Sequence, residues 1–371
     1  MELENELKSK LSSIKNIDLE AKESARVYVD SLIKPPGSLG KLESIAVQIS
    51  GITCQVHNDI ARKRIIVLCA DNGVTSEGVS SAPITVTASQ AVNMTKRITG
   101  MSSMAMHFGV DVEVVDMGIM TDYNCDEILD RKIRKGTGNI VVERAMTRDE
   151  TIKAILTGIE LAQMAKSEAF DILGVGEMGI GNTTTSAAVL SAITAVEPAI
   201  LVGRGGGLTD KAFNDKKDVV KKAVRRFIDD ETSPDKTDVI EILSQLGGLD
   251  IAAMCGVFLG AAINRIPVVV DGYISVVAAL CACKLDERVK EYLFPSHLSE
   301  EPGYKIAALE IGFEPWLCLD MRLGEGSGCV IAFQVIESSL AMMNNMATFE
   351  GGGINDDYLE DIRKQERLRK C

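Results

Sequence analysis

Residues 174–186 read Gly174-Val175-Gly176-Glu177-Met178-Gly179-Ile180-Gly181-Asn182-Thr183-Thr184-Thr185-Ser186. The apolar run 170–175 (FDILGV) leads into this stretch, and 187–192 (AAVLSA) leaves it with the composition of a helix. Strand, glycine-rich turn and helix in that order form the building unit of parallel α/β sheets. Glycines let backbone amides approach an anion, Asn182 and the two threonines after it supply donors and caps, and a helix N-terminus adds partial positive charge. The turn over Gly179, Ile180, Gly181, Asn182, Thr183 and Thr184 therefore reads as a phosphate loop. Glu177 is the discordant member, since a carboxylate repels phosphate unless it points at another part of the ligand. Gly174, Gly176 and Gly179 also satisfy G-x-G-x-x-G, the dinucleotide fingerprint. That fingerprint belongs near the first strand with an acid about 20 residues later. Here it lies mid-chain and the next acid, Glu197, adjoins a proline, so an NAD-dependent oxidoreductase is the lesser reading.

Further strands of the same kind lie to either side. Residues 65–70 (IIVLCA) end at Asp71-Asn72-Gly73, residues 112–116 (VEVVD) follow a helical segment, and residues 266–270 (IPVVV) end at Asp271-Gly272. Helical patterns separate them. The expected fold is α/β, a Rossmann-like parallel sheet flanked by helices, with ligands at the carboxyl ends of the strands. Residues 1–30 and the tail are charged, with apolar residues at helical spacing, among them Leu359, Ile362 and Leu368 in the tail. They suggest a small helical domain built from both chain ends (1–30 and 346–371) beside a large domain (31–345). Residues 34–40 (KPPGSLG) break helix twice, yet 42–52 resume a helical pattern at once, so the break reads as an ordered loop. Residues 211–236 predict a solvated helix whose apolar stripe is Val219, Ala223 and Phe227 with Val220, Val224 and Ile228.

Composition narrows the function. With 46% hydrophobic residues the chain can bury a large core, and with only 4% aromatics that core must be aliphatic. Asp and Glu number 53 against 40 Lys and Arg, a net charge of −13, which argues against nucleic acid as a partner. The nine cysteines include no CxxC pair, the nearest being Cys281 and Cys283, and His57, His107 and His297 are far apart. No metal site is expected, and reduced thiols point to the cytoplasm. The N-terminus lacks an apolar signal segment, and the uncharged apolar stretch 251–264 is shorter than the roughly 20 residues that span a bilayer, so no membrane association is expected.

Two more glycine-bound motifs accompany the phosphate loop. Residues 202–208 (VGRGGGL) precede Thr209 and Asp210, plausible N-caps of a helix from which Lys216 could reach an anion. Residues 321–328 (MRLGEGSG) hold Glu325 between Gly324 and Gly326 on what reads as a strand-to-helix turn. Local sequence leaves two roles open for Glu325: close approach to a ligand, or capping the helix behind it.

Residues 34–43 (KPPGSLGKLE), 176–184 (GEMGIGNTT), 247–254 (GGLDIAAM), 265–272 (RIPVVVDG) and 321–328 (MRLGEGSG) resemble the nicotinate-nucleotide–dimethylbenzimidazole phosphoribosyltransferase family. So does Asp71-Asn72-Gly73-Val74, although many relatives carry His where this chain has Asn72. The resemblance runs in the family's order from about residue 31 to residue 350. It implies transfer of phosphoribosyl from nicotinate mononucleotide to 5,6-dimethylbenzimidazole, giving α-ribazole 5′-phosphate and nicotinate for the lower ligand of cobamides, with no cofactor. It implies that Glu325 is the general base and Glu177 a second carboxylate near the incoming base. It puts Lys216 with residues 179–184 on the phosphate, and Gln90, Met178 and Leu323 at the base. It also implies a homodimer. Ala82 stands where some relatives have serine, so the base is left open among dimethylbenzimidazole, adenine, other benzimidazoles and phenols. A non-catalytic nucleotide-binding module is opposed by the presence of both Glu177 and Glu325.

Overall fold

The computed structural model describes residues 1–233 and 235–359. Six strands form one parallel sheet: β1 (Lys63–Ala70), β2 (Asp111–Gly118), β3 (Leu129–Asp130), β4 (Ile172–Met178), β5 (Val268–Val270) and β6 (Leu293–Pro295). Their spatial order is β3-β2-β1-β4-β5-β6. The chain builds outward from β1 through β2 to β3, then returns to the other side of β1 with β4. The order thus reverses between β1 and β4, the kind of place where open α/β sheets take their ligands.

β1 is buried along its whole length, as the apolar run predicts for a strand covered on both faces. Its two leading cations are matched rather than exposed: Lys63 pairs with Glu337, and Arg64 with Asp111, Glu113 and Glu168. Behind the sheet, helix Leu249–Ile263 packs on helix Arg148–Ser167 with backbones in contact. A Cβ on Gly158 would lie 2.0 Å from the Ala253 carbonyl oxygen, and one on Gly256 2.0 Å from that of Ile155. Larger residues at either position would force the two helices apart.

Several expectations are adjusted. β4 begins at Ile172 rather than at 170 and runs through Met178, so Glu177 belongs to the strand and not to the turn after it. The edge strands β3 and β6 were not expected. Ile228 is exposed at 61%, outside the buried stripe of helix Asp210–Asp229. At the ends, helices Glu2–Ser12 and Leu19–Ser31 are present, and Leu32 forms an antiparallel bridge with Thr348. Residues Asp357–Leu359 form one 3-10 turn, and the remainder of the expected tail helix lies outside the described residues. Among the described residues no helix is long and apolar enough to cross a membrane.

Candidate active site

A cleft of about 320 Å³ opens over the carboxyl ends of the central strands. Its wall includes Gly179, Ile180, Gly181, Asn182, Thr183 and Lys216, together with Glu177, Glu325, Gln90, Met178 and Leu323. Every site residue singled out from sequence is thus on the wall except Thr184, which is fully buried in the first turn of helix Asn182–Thr194.

One end is shaped for an anion. The loop after β4 crosses the end of β1 so closely that a Cβ on Gly179 would sit 2.4 Å from the Ala70 carbonyl oxygen. Gly181, at φ 96°, is the N-cap of helix Asn182–Thr194, and no side chain caps that helix. The helix therefore presents its positive end to the cleft. Lys216 reaches in from helix Asp210–Asp229, whose N-cap is Thr209, and its Nζ donates to Thr183 Oγ1 at 2.8 Å. Burial pushes the Lys216 ammonium down to about 8, against the pull of Glu301. The glycine run lies over it, for a Cβ on Gly205 would come within 3.6 Å of Nζ. The Gly205 amide donates to Glu301 Oε1 at 3.1 Å.

The other end holds the two acids. Gly324, Glu325 and Gly326 are consecutive left-handed residues, at φ 83°, 64° and 89°. Such a conformation costs a non-glycine residue about 1–2 kcal/mol. Glu325 Oε2 accepts from the Met101 amide at 3.1 Å, in the first turn of helix Gly100–His107, and Oε1 faces Gln90 Nε2 at 3.4 Å. The turn lies against β4, where a Cβ on Gly176 would be 2.3 Å from the Glu325 carbonyl oxygen. The Glu325 amide donates to Glu177 Oε1, and the Asn182 side-chain amide bonds both Glu177 and Asp250. Burial pushes the Glu177 carboxyl up to about 8, with Asn182 opposing and the neighbouring Asp250 adding to the rise. Asp250 is itself pushed up to about 6 by burial.

Of the two roles left open for Glu325, capping is not the one this geometry shows. Its side chain does not cap helix Ser327–Asn345, which begins behind it. Asp271 does so, accepting from the Gly326 amide at 3.0 Å and the Gly328 amide at 2.7 Å. The segment before Glu325 is irregular, not the strand expected from sequence. Leu323 is 56% exposed at the mouth and packs on Gly100, where a Cβ would come within 2.6 Å of Leu323 Cδ2. Asp250, Asp271 and Glu301 were not singled out as site residues, although Asp271 directly follows β5, where polar endings had marked the place to look. Among the described residues no group of three or more His, Cys, Asp or Glu is disposed to hold a metal ion.

A family model described as Phosphoribosyltransferase matches residues 14–354. A protein of Clostridium perfringens named nicotinate-nucleotide–dimethylbenzimidazole phosphoribosyltransferase is 51% identical over 356 residues, covering 96% of this chain and 97% of the relative. One of the same name from Clostridium tetani is 49% identical, covering 97% and 98%. The crystal structure of CobT from Thermus thermophilus superposes with a TM-score of 0.85 at 33% identity, covering 91% of this chain and 99% of that one.

Proposed function

Because the chain belongs to the nicotinate-nucleotide–dimethylbenzimidazole phosphoribosyltransferase family, it transfers phosphoribosyl from nicotinate nucleotide to dimethylbenzimidazole, and we propose that Glu325 is the general base of that transfer. One observation carries the assignment: on the cleft wall Lys216 donates to Thr183 of the glycine loop, whereas Glu325 faces Gln90 and the Met101 amide. The 5′-phosphate then lies on Lys216 and residues 179–184, and the incoming base lies between Gln90, Met178 and Leu323, within reach of Glu325.

The chemistry follows from the substrate. The ring nitrogen of nicotinate nucleotide is cationic while bonded to C1′. When that bond breaks, the electron pair stays on nitrogen and nicotinate leaves with a neutral ring, so no acid need protonate it. One imidazole nitrogen of the incoming base bonds to C1′ from the opposite face, turning the β configuration into α. The other nitrogen loses its proton to a Glu325 carboxylate oxygen as positive charge builds on the azole. Glu325 is held in place for this by the Met101 amide, in the first turn of helix Gly100–His107. Burial favours the neutral form of Glu177, which suits it to orienting a substrate by hydrogen bond rather than adding a second full charge.

The proposal extends to the small helical domain of both chain ends, supported by helices Glu2–Ser12 and Leu19–Ser31 in its first segment, and to the homodimer that the family resemblance implies. Free described cysteines support a reducing compartment such as the cytoplasm. The test is incubation with nicotinate mononucleotide and a panel of bases, with products identified by mass. Ribotide formed with dimethylbenzimidazole is expected; nicotinate release without ribotide would contradict the reading.

A further inference from the structure

Glu325 works from a backbone conformation that it does not favour, so something must impose it. The turn after Glu325 runs straight into helix Ser327–Asn345, and both amides that anchor that entry go to one side chain, Asp271, at the end of β5. Asp271 is 1% exposed, and each of its carboxylate oxygens takes one of the two amides, Oδ2 from Gly326 and Oδ1 from Gly328. Both carboxylate oxygens are thus engaged in holding backbone at the entry to that helix.

Asp271 is itself backed by a buried polar group that the reaction does not use. His297 Nδ1 lies 3.8 Å from Asp271 Oδ1 and 3.0 Å from Ser296 Oγ, and Ser296 Oγ donates to the Asp271 carbonyl at 3.3 Å. The ring stacks on Tyr304, and its Nε2 is buried without a hydrogen-bond partner. All three groups converge on one glycine. A Cβ at Gly328 would lie 2.2 Å from His297 Nδ1, 2.6 Å from Ser296 Oγ and 2.8 Å from Asp271 Oδ1. The last glycine of the 321–328 motif is therefore required by the contact with His297, Ser296 and Asp271, and not by the cleft.

We propose that Asp271, backed by His297, is a positioning residue that fixes the left-handed turn of Glu325 and thereby aims its carboxylate at the incoming base. The inference rests on Glu325 being the general base. Asp271 joins β5 to the turn, so the rigid sheet, and not the irregular segment 318–323, sets where Glu325 stands. In Asp271→Asn one oxygen is replaced by a donor, and one of the two amides loses its acceptor.

A double-mutant cycle separates positioning from mere structural support. Asp271→Asn should lower kcat about a hundredfold, the usual cost of misplacing a reacting group by about an ångström, with KM for nicotinate mononucleotide unchanged. In a Glu325→Gln background the same substitution should change kcat by no more than about twofold, because there is no longer a base to aim. An equal loss in both backgrounds would overturn the proposal. Near-normal turnover of Glu325→Gln alone would instead remove the reading of Glu325 on which it rests. If Asp271→Asn does not fold, His297→Gln is put through the same cycle, with a smaller loss of kcat expected in the wild-type background and none beside Glu325→Gln. Loss of equal size in both backgrounds would again overturn it.

Discussion

The backbone amide of Glu325 donates to Glu177 Oε1 at 3.3 Å, while the Glu325 side chain turns away to the amide of Met101. The two acids of the cleft are therefore joined through backbone rather than carboxylate to carboxylate. Their side chains have separate partners: burial that holds the Glu177 carboxyl neutral acts on a group bonded to Asn182, while the Glu325 carboxylate is held by the Met101 amide and Gln90.

Stability should carry the mark of Glu177. In the folded protein it keeps its proton up to about pH 8, and in the unfolded chain only to its ordinary value near 4.5. The folded state binds more protons between these values, so stability is fully present below about 4.5 and falls as pH rises through 8. Asp250, raised to about 6, acts in the same sense over a lower window. Glu177→Gln has no proton to lose there. Its Tm should lie close to that of the wild type at pH 5 and above it at pH 9, as read by differential scanning fluorimetry. A constant difference across that range would contradict the buried neutral carboxyl.

Lys216 predicts a split between nucleotide and nucleoside. Lys216→Ala should weaken nicotinate mononucleotide by roughly ten- to a hundredfold, the worth of a charge-assisted contact of about 1.5–3 kcal/mol. The nucleoside lacking phosphate should bind both proteins alike. Because burial lowers the ammonium to about 8, affinity of the free wild-type enzyme for the nucleotide should fall as pH rises above that value. Isothermal titration at pH 7 and pH 9 checks both points, and equal binding of nucleoside and nucleotide to the wild type would refute the assignment.

Gly176 tests the contact that seats the Glu325 turn. A methyl group there would meet the Glu325 carbonyl at 2.3 Å and the Gly326 amide at 3.0 Å, both backbone atoms that cannot rotate aside. Gly176→Ala should cost about 1–3 kcal/mol of stability through overpacking. It should also lower kcat more than KM for the nucleotide, whose phosphate loop lies elsewhere. An alanine variant with wild-type kcat would show that the turn tolerates displacement.

The central strands were legible because β1, β2, β4 and β5 carry apolar runs that end in polar residues. The edge strands were not, since β3 spans only Leu129–Asp130 and β6 only Leu293–Pro295, too short for a pattern to register. The phosphate loop and the turn of Glu325 were legible because glycines bracket them in sequence, whereas Lys216, Gln90, Met178 and Leu323 were reached through the family resemblance. Asp250 and Asp271 were not legible, because what makes them part of the site is distance across the sheet. Asp250 meets Glu177 only through Asn182, and Asp271 meets the Glu325 turn from 55 residues away. His297 read as an isolated histidine, and its proximity to Gly328 is set by the pairing of β5 with β6.

Transfer should not depend on a divalent cation. Pyrophosphate leaving groups accumulate negative charge and are expelled with a metal ion as electrostatic partner. Nicotinate leaves from a cationic ring, and its departure neutralises charge. The phosphate that stays behind is a monoester, within the capacity of Lys216 and a helix N-terminus. Initial rates in EDTA and in excess magnesium should agree. A large loss in EDTA that magnesium restores would mean that the substrate or the site has been misassigned.

The most direct measurement is the single-turnover rate of Glu325→Gln with nicotinate mononucleotide and dimethylbenzimidazole, beside nucleotide affinity measured on the same preparation. The glutamine keeps an oxygen for the Met101 amide and cannot take a proton. The rate should fall by about 10²–10⁴, the usual contribution of a general base, with nucleotide affinity unchanged. Near-normal turnover in that variant would show that the proton leaves the azole by another route, and would contradict the account.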